Sequence, residues 1–242
     1  MNDCQYIHKF HIFGYDTDWQ CNLTPARLIS MMHETAWAHV NKMHVGWSDL
    51  QKENLFWVIT KVSISIRKLP KWNDEIEIKT TAVKQKMIIY PRDYEVFDSN
   101  GELIAEATSE WVLLKTDGTL VRSNEKVDQL LRASEHSASN CKTSKLLRIP
   151  FEENLPVYTA HLSDLDMNNH VNNVSYIRWI LDLIPADFYQ SHSVQKIDVN
   201  YTSQLKWGEK YAIAIQHNDN EWNFTIYTDS GREVSRISTF WS

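Results

Sequence analysis

Apolar and polar residues alternate in two short stretches of the first half of the chain. The first stretch ends at Ile66, the second ends at Ile78, and residues 70–74 form a polar break between them. Alternation with a period of two predicts strands that bury one face against a core. Because the break is short and rich in turn residues, the pattern predicts two strands joined by a tight hairpin connection.

The same strand, break and strand pattern returns in the second half of the chain, over residues 197–213. Trp207 follows Trp72 by 135 residues, and the same offset aligns Glu209 with Asp74. A match that covers both strands and the break is stronger evidence of a repeat than a match between single residues. The sequence therefore predicts an internal duplication.

A helical pattern precedes each copy of these strands. In the first half, Thr24 as the N-cap and Pro25 in the first turn begin a helix that Gly46 is expected to stop. In the second half, Asn173 is expected to cap a helix that ends before Pro185. Alternating segments and turns follow in each half. This order predicts an α+β protein, a tandem (double) hot-dog in which each half is a long helix wrapped by an antiparallel β-sheet.

The boundary between the halves is predicted near residue 140. Residues 124–132 have the pattern of a short helix, and residues 134–144 are small and polar, as in a linker. This divides the chain into an N-terminal half, residues 1–140, and a C-terminal half, residues 141–242.

Composition and charge exclude several classes of protein. The 242 residues are 43% hydrophobic and 23% charged, as in an average globular protein, and the net charge of −6 argues against a nucleic-acid binder. No apolar run approaches the length of a membrane span, and residues 1–10 lack the apolar stretch of a signal peptide. Three isolated cysteines, Cys4, Cys21 and Cys141, indicate a reducing compartment. The sequence therefore predicts a cytoplasmic enzyme or ligand-binding protein.

Candidate chemistry is concentrated just before the second helix. Asp166, Asn168 and His170 alternate along residues 164–173, so an extended segment would point their side chains to the same side. An imidazole suits proton transfer near neutral pH, and the helix start offers backbone N–H groups for an oxyanion. An Asx-rich turn that only caps the helix would have the same composition.

The duplication favours the catalytic interpretation of this cluster. An offset of 148 residues places Asp18, Gln20 and Asn22 opposite it. At the connection between the strands, Leu69 lies opposite Gln204. The first half therefore retains the aspartate but has no imidazole, and its counterpart of Gln204 is apolar. This asymmetry predicts a single site in the second half.

Six segments of the chain carry motifs that occur together in one known family. In chain order they are residues 57–66, 70–74, 91–94, 107–112, 164–179 and 183–185, which together span nearly the whole chain. They resemble the acyl-acyl carrier protein (acyl-ACP) thioesterases of plant plastids and bacteria. The resemblance implies a double hot-dog fold and hydrolysis of a fatty acyl thioester on the phosphopantetheine arm of acyl carrier protein, without a metal or cofactor.

The resemblance also implies a set of site residues. Asp166, Asn168 and His170 match the Asp-x-Asn-x-His positions of the family. Gln204 and Leu205 stand where plant members have Glu and Cys, so neither a carboxylate base nor a thiol is expected there. We expect His170, oriented by Asp166 or Asn168, to activate a water molecule. The Gln204 amide would hold that water or the substrate carbonyl.

Several alternatives stay open at the level of sequence. The carrier can be coenzyme A instead of ACP, and a catalytically silent acyl-binding protein would also accommodate Gln204. A basic cluster at residues 67–71 either binds the acidic carrier protein or protects a sheet edge. Met31 and Met32 on the first helix are expected to face the acyl chain and set the preferred length. The oligomeric state is open, a homodimer included.

Overall fold

The computed structural model describes residues 4–242, which form two compact units. Unit 1 extends to Thr143, and unit 2 comprises Ser144–Ser242. The elements of unit 1 are β1 (Gln5–His11), α1 (Pro25–Lys42), α2 (Trp47–Gln51), β2 (Leu55–Ile66), β3 (Glu75–Ala82), β4 (Tyr90–Asp98), β5 (Leu103–Lys115), β6 (Leu120–Val121) and α3 (Glu125–Leu130). Those of unit 2 are β7 (Val157–Thr159), α4 (Asn173–Leu181), α5 (Ala186–Ser191), β8 (Val194–Tyr201), β9 (Lys210–Asn218), β10 (Glu221–Thr228) and β11 (Glu233–Trp241).

The sheet of unit 1 is antiparallel, with the strand order β1-β3-β4-β5-β2 and with β6 paired to β5. Strand β2 pairs with β5, where Ile64 lies opposite Ala107, whereas β3 pairs with β1 and β4. The predicted hairpin between β2 and β3 is therefore wrong. Alternation shows that each strand buries one face, but it does not identify the neighbouring strand. Residues 67–74 connect two strands that are separated by β4 and β5.

The sheet of unit 2 has the corresponding order, β8-β11-β10-β9-β7. Strand β8 pairs with β11, where Val199 lies opposite Ile237, and β9 pairs with β10, where Ile213 lies opposite Ile226. The predicted hairpin is wrong here for the same reason. Strands β9, β10 and β11 form the meander that the alternating segments predict.

Helix α1 begins where its sequence predicts. The Thr24 side chain accepts a hydrogen bond from the backbone N–H of Arg27 at 3.2 Å, and Pro25 is the first helical residue. The apolar side of the helix packs toward β1 and β3. Its buried apolar residues include Leu28, Ile29, Met31, Met32, Ala36 and Val40.

Helix α1 ends at Lys42, four residues before the predicted stop at Gly46. The left-handed residue after the helix is His44, with φ of 58°. Gly46 instead precedes α2, and a Cβ atom there would lie 1.7 Å from the side-chain oxygen of Asn41. A side chain at position 46 would therefore require the Asn41 side chain to move, so this glycine allows a close approach between neighbouring segments and does not end the helix.

Helix α4 has nine residues, half the length of α1. Its N-cap is Asn172, one residue before the predicted cap, and the Asn172 side chain accepts a hydrogen bond from the N–H of Val174 at 2.9 Å. The helix packs on its sheet through Trp179, whose ring stacks on Tyr211 of β9 with centroids 3.9 Å apart. Each unit thus contains one main helix against an antiparallel sheet.

Equivalent backbone hydrogen bonds occur in the two units, which confirms the internal duplication. The N–H of Leu23 donates to the carbonyl of Pro70 at 2.7 Å, just before α1. The N–H of Val171 donates to the carbonyl of Leu205 at 2.8 Å, just before α4. The donors differ by the predicted offset of 148 residues and the acceptors by the predicted offset of 135 residues.

Residues 134–143, predicted to be part of a linker, are held against the sheet of unit 1. The Asp93 carboxylate is 1% exposed and accepts a hydrogen bond from the hydroxyl of Ser137 at 2.6 Å. The buried Glu106 carboxylate accepts one from the backbone N–H of Asn140 at 2.8 Å. Buried carboxylates need such donors because they have lost their water. This segment is therefore an ordered part of unit 1.

Three findings concern the described chain as a whole. None of the helices within residues 4–242 is long and apolar enough to cross a membrane. Cys4, Cys21 and Cys141 form no disulfide bond with one another. Within the same residues, no group of three or more His, Cys, Asp or Glu side chains is arranged to hold a metal ion.

Candidate functional site

The loop that precedes α4 is closed into a tight turn by backbone hydrogen bonds. Leu165 and Val171 form an antiparallel bridge, and the N–H of Asp166 donates to the carbonyl of His170 at 2.8 Å. Asn169 lies in the left-handed region, with φ of 61°, which asparagine tolerates better than most residues. The expectation of an extended segment is therefore wrong. The turn, and not simple alternation, determines where the candidate side chains lie.

The Asp166 carboxylate holds this loop together. Its Oδ1 atom accepts hydrogen bonds from the backbone N–H groups of Asn168 at 2.8 Å and His170 at 3.3 Å. In the part of the chain that the structure describes, the partly buried His170 ring forms no hydrogen bond. Asp166 thus positions His170 through the backbone and does not orient the imidazole directly. The ring nitrogens remain accessible to a water molecule or a substrate.

Most backbone N–H groups around the start of α4 already have acceptors. The N–H of Asn172 donates to the Asp164 carbonyl at 2.8 Å. Asn172 in turn accepts from the N–H groups of Val174, at its side chain, and Ser175, at its carbonyl. Among the described residues, none accepts from the N–H of Asn173. This group lies at the positive end of the helix dipole, and it is the donor that the helix start leaves for an oxyanion.

Asp164 connects the loop before α4 to that helix through hydrogen bonds and an ion pair. This role was not identified from the sequence. The Asp164 carboxylate is 3% exposed and accepts hydrogen bonds from the backbone N–H of His161 at 2.8 Å and the indole N–H of Trp179 at 3.3 Å. It also forms an ion pair with Arg178. The duplication offered a signal for this residue, because Asp16 occupies the same position 148 residues earlier and pairs with an arginine of α1.

Gln204 lies on the exposed connection between β8 and β9, next to a firmly held residue. Leu205 is fully buried, and both of its backbone groups are bound. Its carbonyl accepts from Val171 at 2.8 Å, and its N–H donates to the hydroxyl oxygen of Tyr176 at 3.1 Å. Burial raises the pKa of Tyr176, so this hydroxyl stays protonated. Because Val171 directly follows His170, these bonds hold the backbone of Gln204 beside the candidate loop.

Unit 1 contains the same loop with different chemistry. The Asp18 carboxylate accepts a hydrogen bond from the N–H of Asn22 at 3.0 Å, as its counterpart does in unit 2. Asn22 occupies the position of His170. Pro25, which has no N–H, occupies the position of Asn173. The loop geometry is therefore common to both units, whereas the imidazole and the available N–H are specific to unit 2.

Unit 1 also contains an apolar cavity of about 40 Å³ between α1 and the sheet. Its wall includes four aromatic side chains and one arginine, namely Trp37, Trp57, Tyr90, Trp111 and Arg92. Met31 and Met32, which were expected to face an acyl chain, are fully buried in the core and do not line this cavity. The residues of α1 that line this cavity lie at least one turn further along the helix, so the contact of Met31 and Met32 with an acyl chain stays a prediction.

Two family models match most of the chain. The acyl-ACP thioesterase N-terminal domain matches residues 3–128, and the acyl-ACP thioesterase C-terminal domain matches residues 150–242. The chain belongs to the acyl-ACP thioesterase family. Within this family it is 31% identical to oleoyl-acyl carrier protein thioesterase 2 of Arabidopsis thaliana, over 83% of this chain and 60% of that protein. It is 27% identical to a palmitoyl-acyl carrier protein thioesterase of Gossypium hirsutum, over 81% of this chain and 51% of that protein.

Solved structures of acyl-ACP thioesterases share the fold. An acyl-ACP thioesterase from Bacteroides thetaiotaomicron superimposes with a TM-score of 0.87 and 22% identity, and the match covers 100% of both chains. The 12:0-ACP thioesterase from Umbellularia californica gives a TM-score of 0.87 with 20% identity, over 99% of this chain and 97% of that chain. The double hot-dog fold is thereby confirmed, with one helix-and-sheet half in each unit.

Proposed function

We propose that this protein is a thioesterase that hydrolyses fatty acyl-ACP to free fatty acid and carrier protein, which terminates fatty-acid synthesis. One observation carries the proposal. Two equivalent loops share one backbone geometry, and the loop of unit 2 alone combines an imidazole, at His170, with an available N–H, at Asn173. A proton acceptor and an oxyanion donor are the two groups that hydrolysis of a thioester needs.

In the proposed reaction, His170 removes a proton from a water molecule while the water oxygen bonds to the thioester carbonyl carbon. The N–H of Asn173 donates to the oxygen on which negative charge develops. When this intermediate collapses, the carbon–sulfur bond breaks and the imidazolium returns the proton to the departing thiolate. The products are the fatty acid and the thiol of the phosphopantetheine arm. No step requires a metal or a cofactor.

The remaining site residues have supporting roles in this proposal. Asp166 positions His170 by its hydrogen bond to the backbone. Asn168 lies on the exposed side of the same turn. Gln204 cannot accept a proton at neutral pH, but its amide can hold the water through its oxygen or the carbonyl through its nitrogen. A single positioned acid–base group contributes about 10²–10⁴-fold, so the lack of a carboxylate at this position is compatible with a slower enzyme.

The carrier is proposed to be ACP because the family is named for acyl-ACP substrates. The basic cluster at residues 67–71 gives limited support, since the Arg67 guanidinium lies 3.4 Å from a carboxylate oxygen of Glu106 and part of the charge is neutralised. Acyl-coenzyme A remains the first alternative substrate. A catalytically silent acyl-binding protein is the second alternative, for which Gln204 is the specific observation.

Thiol release from acyl-ACP and acyl-coenzyme A with the same acyl chain tests these alternatives. We expect faster release from acyl-ACP, and loss of release when His170 is replaced by Asn. Faster release from acyl-coenzyme A would favour the first alternative. Binding of the acyl group without thiol release by the wild-type protein would favour the second.

The proposal also assigns a different function to each half of the chain. The N-terminal half, residues 1–140, is proposed to receive the acyl chain, and the C-terminal half, residues 141–242, to perform hydrolysis. A cytoplasmic location is proposed because three cysteines without a disulfide bond fit a reducing compartment. Light scattering after size-exclusion chromatography would distinguish a monomer from a homodimer.

A further inference from the structure

Arg92 places a buried positive charge in the wall of the apolar cavity of unit 1. The residue belongs to β4 and is only 5% exposed. Its Nη1 atom lies 3.0 Å from Nδ1 of His39 and 3.1 Å from the hydroxyl oxygen of Thr80. Because a guanidinium can only donate, the Nδ1 atom of His39 acts as the acceptor and that ring is neutral. Both partners are therefore uncharged.

Arg92 forms no ion pair with any residue that the structure describes. The neighbouring Asp93 points to the other face of the strand, where it accepts hydrogen bonds from Thr108 and Ser137. The burial of the guanidinium lowers its pKa, which reflects the cost of removing a cation from water. Buried charges are normally paired with an opposite charge. Arg92 is therefore unusual in being buried without an ion-pair partner among the described residues.

Three of the four aromatic residues of the cavity use their polar atoms in hydrogen bonds to the protein. The indole N–H of Trp57 donates to a backbone carbonyl at 3.0 Å, and that of Trp111 donates to the Ser109 hydroxyl at 2.7 Å. The Tyr90 hydroxyl donates to Asp128 at 2.9 Å. These rings therefore present carbon surfaces to the cavity. The resulting surroundings, apolar on several sides with one cationic group, suit a ligand that is apolar along its length and anionic at one end.

We propose that this cavity binds the carboxylate end of an apolar chain through Arg92. The hydrogen bonds to His39 and Thr80 use Nη1, so the edge formed by Nε and Nη2 is the one left to donate two parallel hydrogen bonds to a carboxylate. A volume of about 40 Å³ accommodates about three water-sized groups, which is enough for a carboxylate and its first carbon. The rest of the chain would lie along the aromatic rings toward the opening.

Two sources could supply this chemistry. One is a free fatty acid, which is the product of the proposed reaction and would bind with its carboxylate innermost. The other is an acyl substrate that carries a second carboxylate at its far end. The binding site itself is inferred from unit 1 alone and does not depend on the proposed hydrolysis, because binding can be measured without turnover.

Calorimetric titration with octanoate and with 1-octanol tests the site, since the two probes share a chain and differ in charge. For the wild-type protein we expect octanoate to bind at least about 10-fold more tightly than 1-octanol, the scale of charge-assisted hydrogen bonds in a buried site. Arg92→Met should remove this preference by weakening octanoate alone. Arg122→Met, a change at an exposed arginine of the same unit, should leave both affinities unchanged.

Equal affinities for octanoate in the wild type and in folded Arg92→Met would overturn the proposal. If Arg92→Met does not fold, Arg92→Gln retains hydrogen-bonding capacity without the charge, and octanoate binding by that variant equal to that of the wild type would overturn the proposal as well.

Two further measurements identify the source of the ligand. If octanoate inhibits octanoyl-ACP hydrolysis, and this inhibition is weaker in the Arg92 variant, the reaction product is the source. Arg92-dependent preference for an octanedioyl thioester would identify a substrate. A failed hydrolysis assay would count against the proposed function, while the titration would still decide the binding site.

Discussion

Asn173 and Pro25 occupy equivalent positions at the starts of their helices, and of the two only Asn173 has a backbone N–H. The residues before them have similar backbone conformations, with φ of −59° and ψ of 136° at Asn172 and φ of −68° and ψ of 143° at Thr24. These angles are compatible with a following proline. Unit 1 thus shows that the first helical position accepts a proline without a change in the path of the chain.

Replacement of Asn173 by Pro is expected to remove the proposed oxyanion donor and little else. Loss of one such donor typically lowers kcat by about 10²–10³-fold. The melting temperature should stay close to that of the wild type, because a proline at the first helical position has no N–H to lose and a favourable φ. Steady-state thiol release and thermal unfolding of the same preparation measure the two quantities.

The matched control for this change is Asn173→Ala, which removes the same side chain but retains the N–H. We expect its rate to stay within a small factor of the wild-type rate. If Asn173→Pro and Asn173→Ala have equal kcat, the N–H does not stabilise the transition state.

His170→Asn is expected to abolish most turnover and to preserve the loop. The loop of unit 1 has Asn22 at this position and keeps the same hydrogen bond to its aspartate, so the substitution is compatible with the turn. Loss of a general base typically costs about 10²–10⁴-fold in rate. His44→Asn is the control, since His44 is exposed, lies in unit 1 and has a positive φ that asparagine accepts. A folded His170→Asn protein with the wild-type rate would remove His170 from the site.

Gln204 is expected to contribute through its amide and not as a base. Gln204→Leu removes both hydrogen-bonding groups and should lower kcat/KM by about 10-fold or more. Gln204→Glu should keep or raise the activity near neutral pH and add an acidic limb to the rate profile, because the new carboxylate loses its function when it is protonated. Repulsion from Asp166 would move that limb to higher pH.

The pH dependence of thiol release for the three proteins on one acyl-ACP measures both effects. Gln216→Leu, on an exposed part of β9, controls for a general effect of replacing a surface glutamine. If Gln204→Leu matches the wild type across the pH range, Gln204 is not part of the site, whereas the assignment of the loop residues is unaffected.

Asp164 and Asp16 are expected to contribute similarly to stability. Each carboxylate is buried, accepts from a backbone N–H three residues earlier and pairs with an arginine of the following helix. Asp164→Asn or Asp16→Asn should lower the free energy of unfolding by about 1.5–3 kcal/mol, the range for hydrogen bonds to a charged group. Urea denaturation measures the loss. Asp219→Asn, on an exposed turn, should cause almost none, and an equal loss there would refute the assignment.

The sequence predicted the strands well and their neighbours poorly. Alternation at residues 62–66 and 211–217 reports which side chains are buried, and strands β2 and β9 are where it indicates. Whether β2 lies beside β3 or beside β5 depends on contacts between residues that are distant in sequence. The local pattern therefore could not exclude the incorrect hairpin.

For the candidate site as well, the sequence predicted some features and could not predict others. The imidazole at His170 and its absence at Asn22 are visible in the sequence once the offset of 148 residues is known. The sequence does not show which backbone N–H groups have acceptors. That depends on the geometry of the turn, in which Asn169 has a positive φ. Pro25 is a partial exception, since its missing N–H and its alignment with Asn173 could both have been inferred from the sequence.

The hydrogen bonds from residues 134–143 determine where a stable fragment of unit 1 can end. The match to the N-terminal family model stops at residue 128, before Ser137 and Asn140. A fragment cut there would deprive the buried carboxylates of Asp93 and Glu106 of donors that these residues supply. The cut would also uncover these two side chains, which keep only the donors Thr108 and Arg67 from the rest of the described part of unit 1. We therefore expect a fragment that ends at residue 128 to be less stable than one that continues through Thr143.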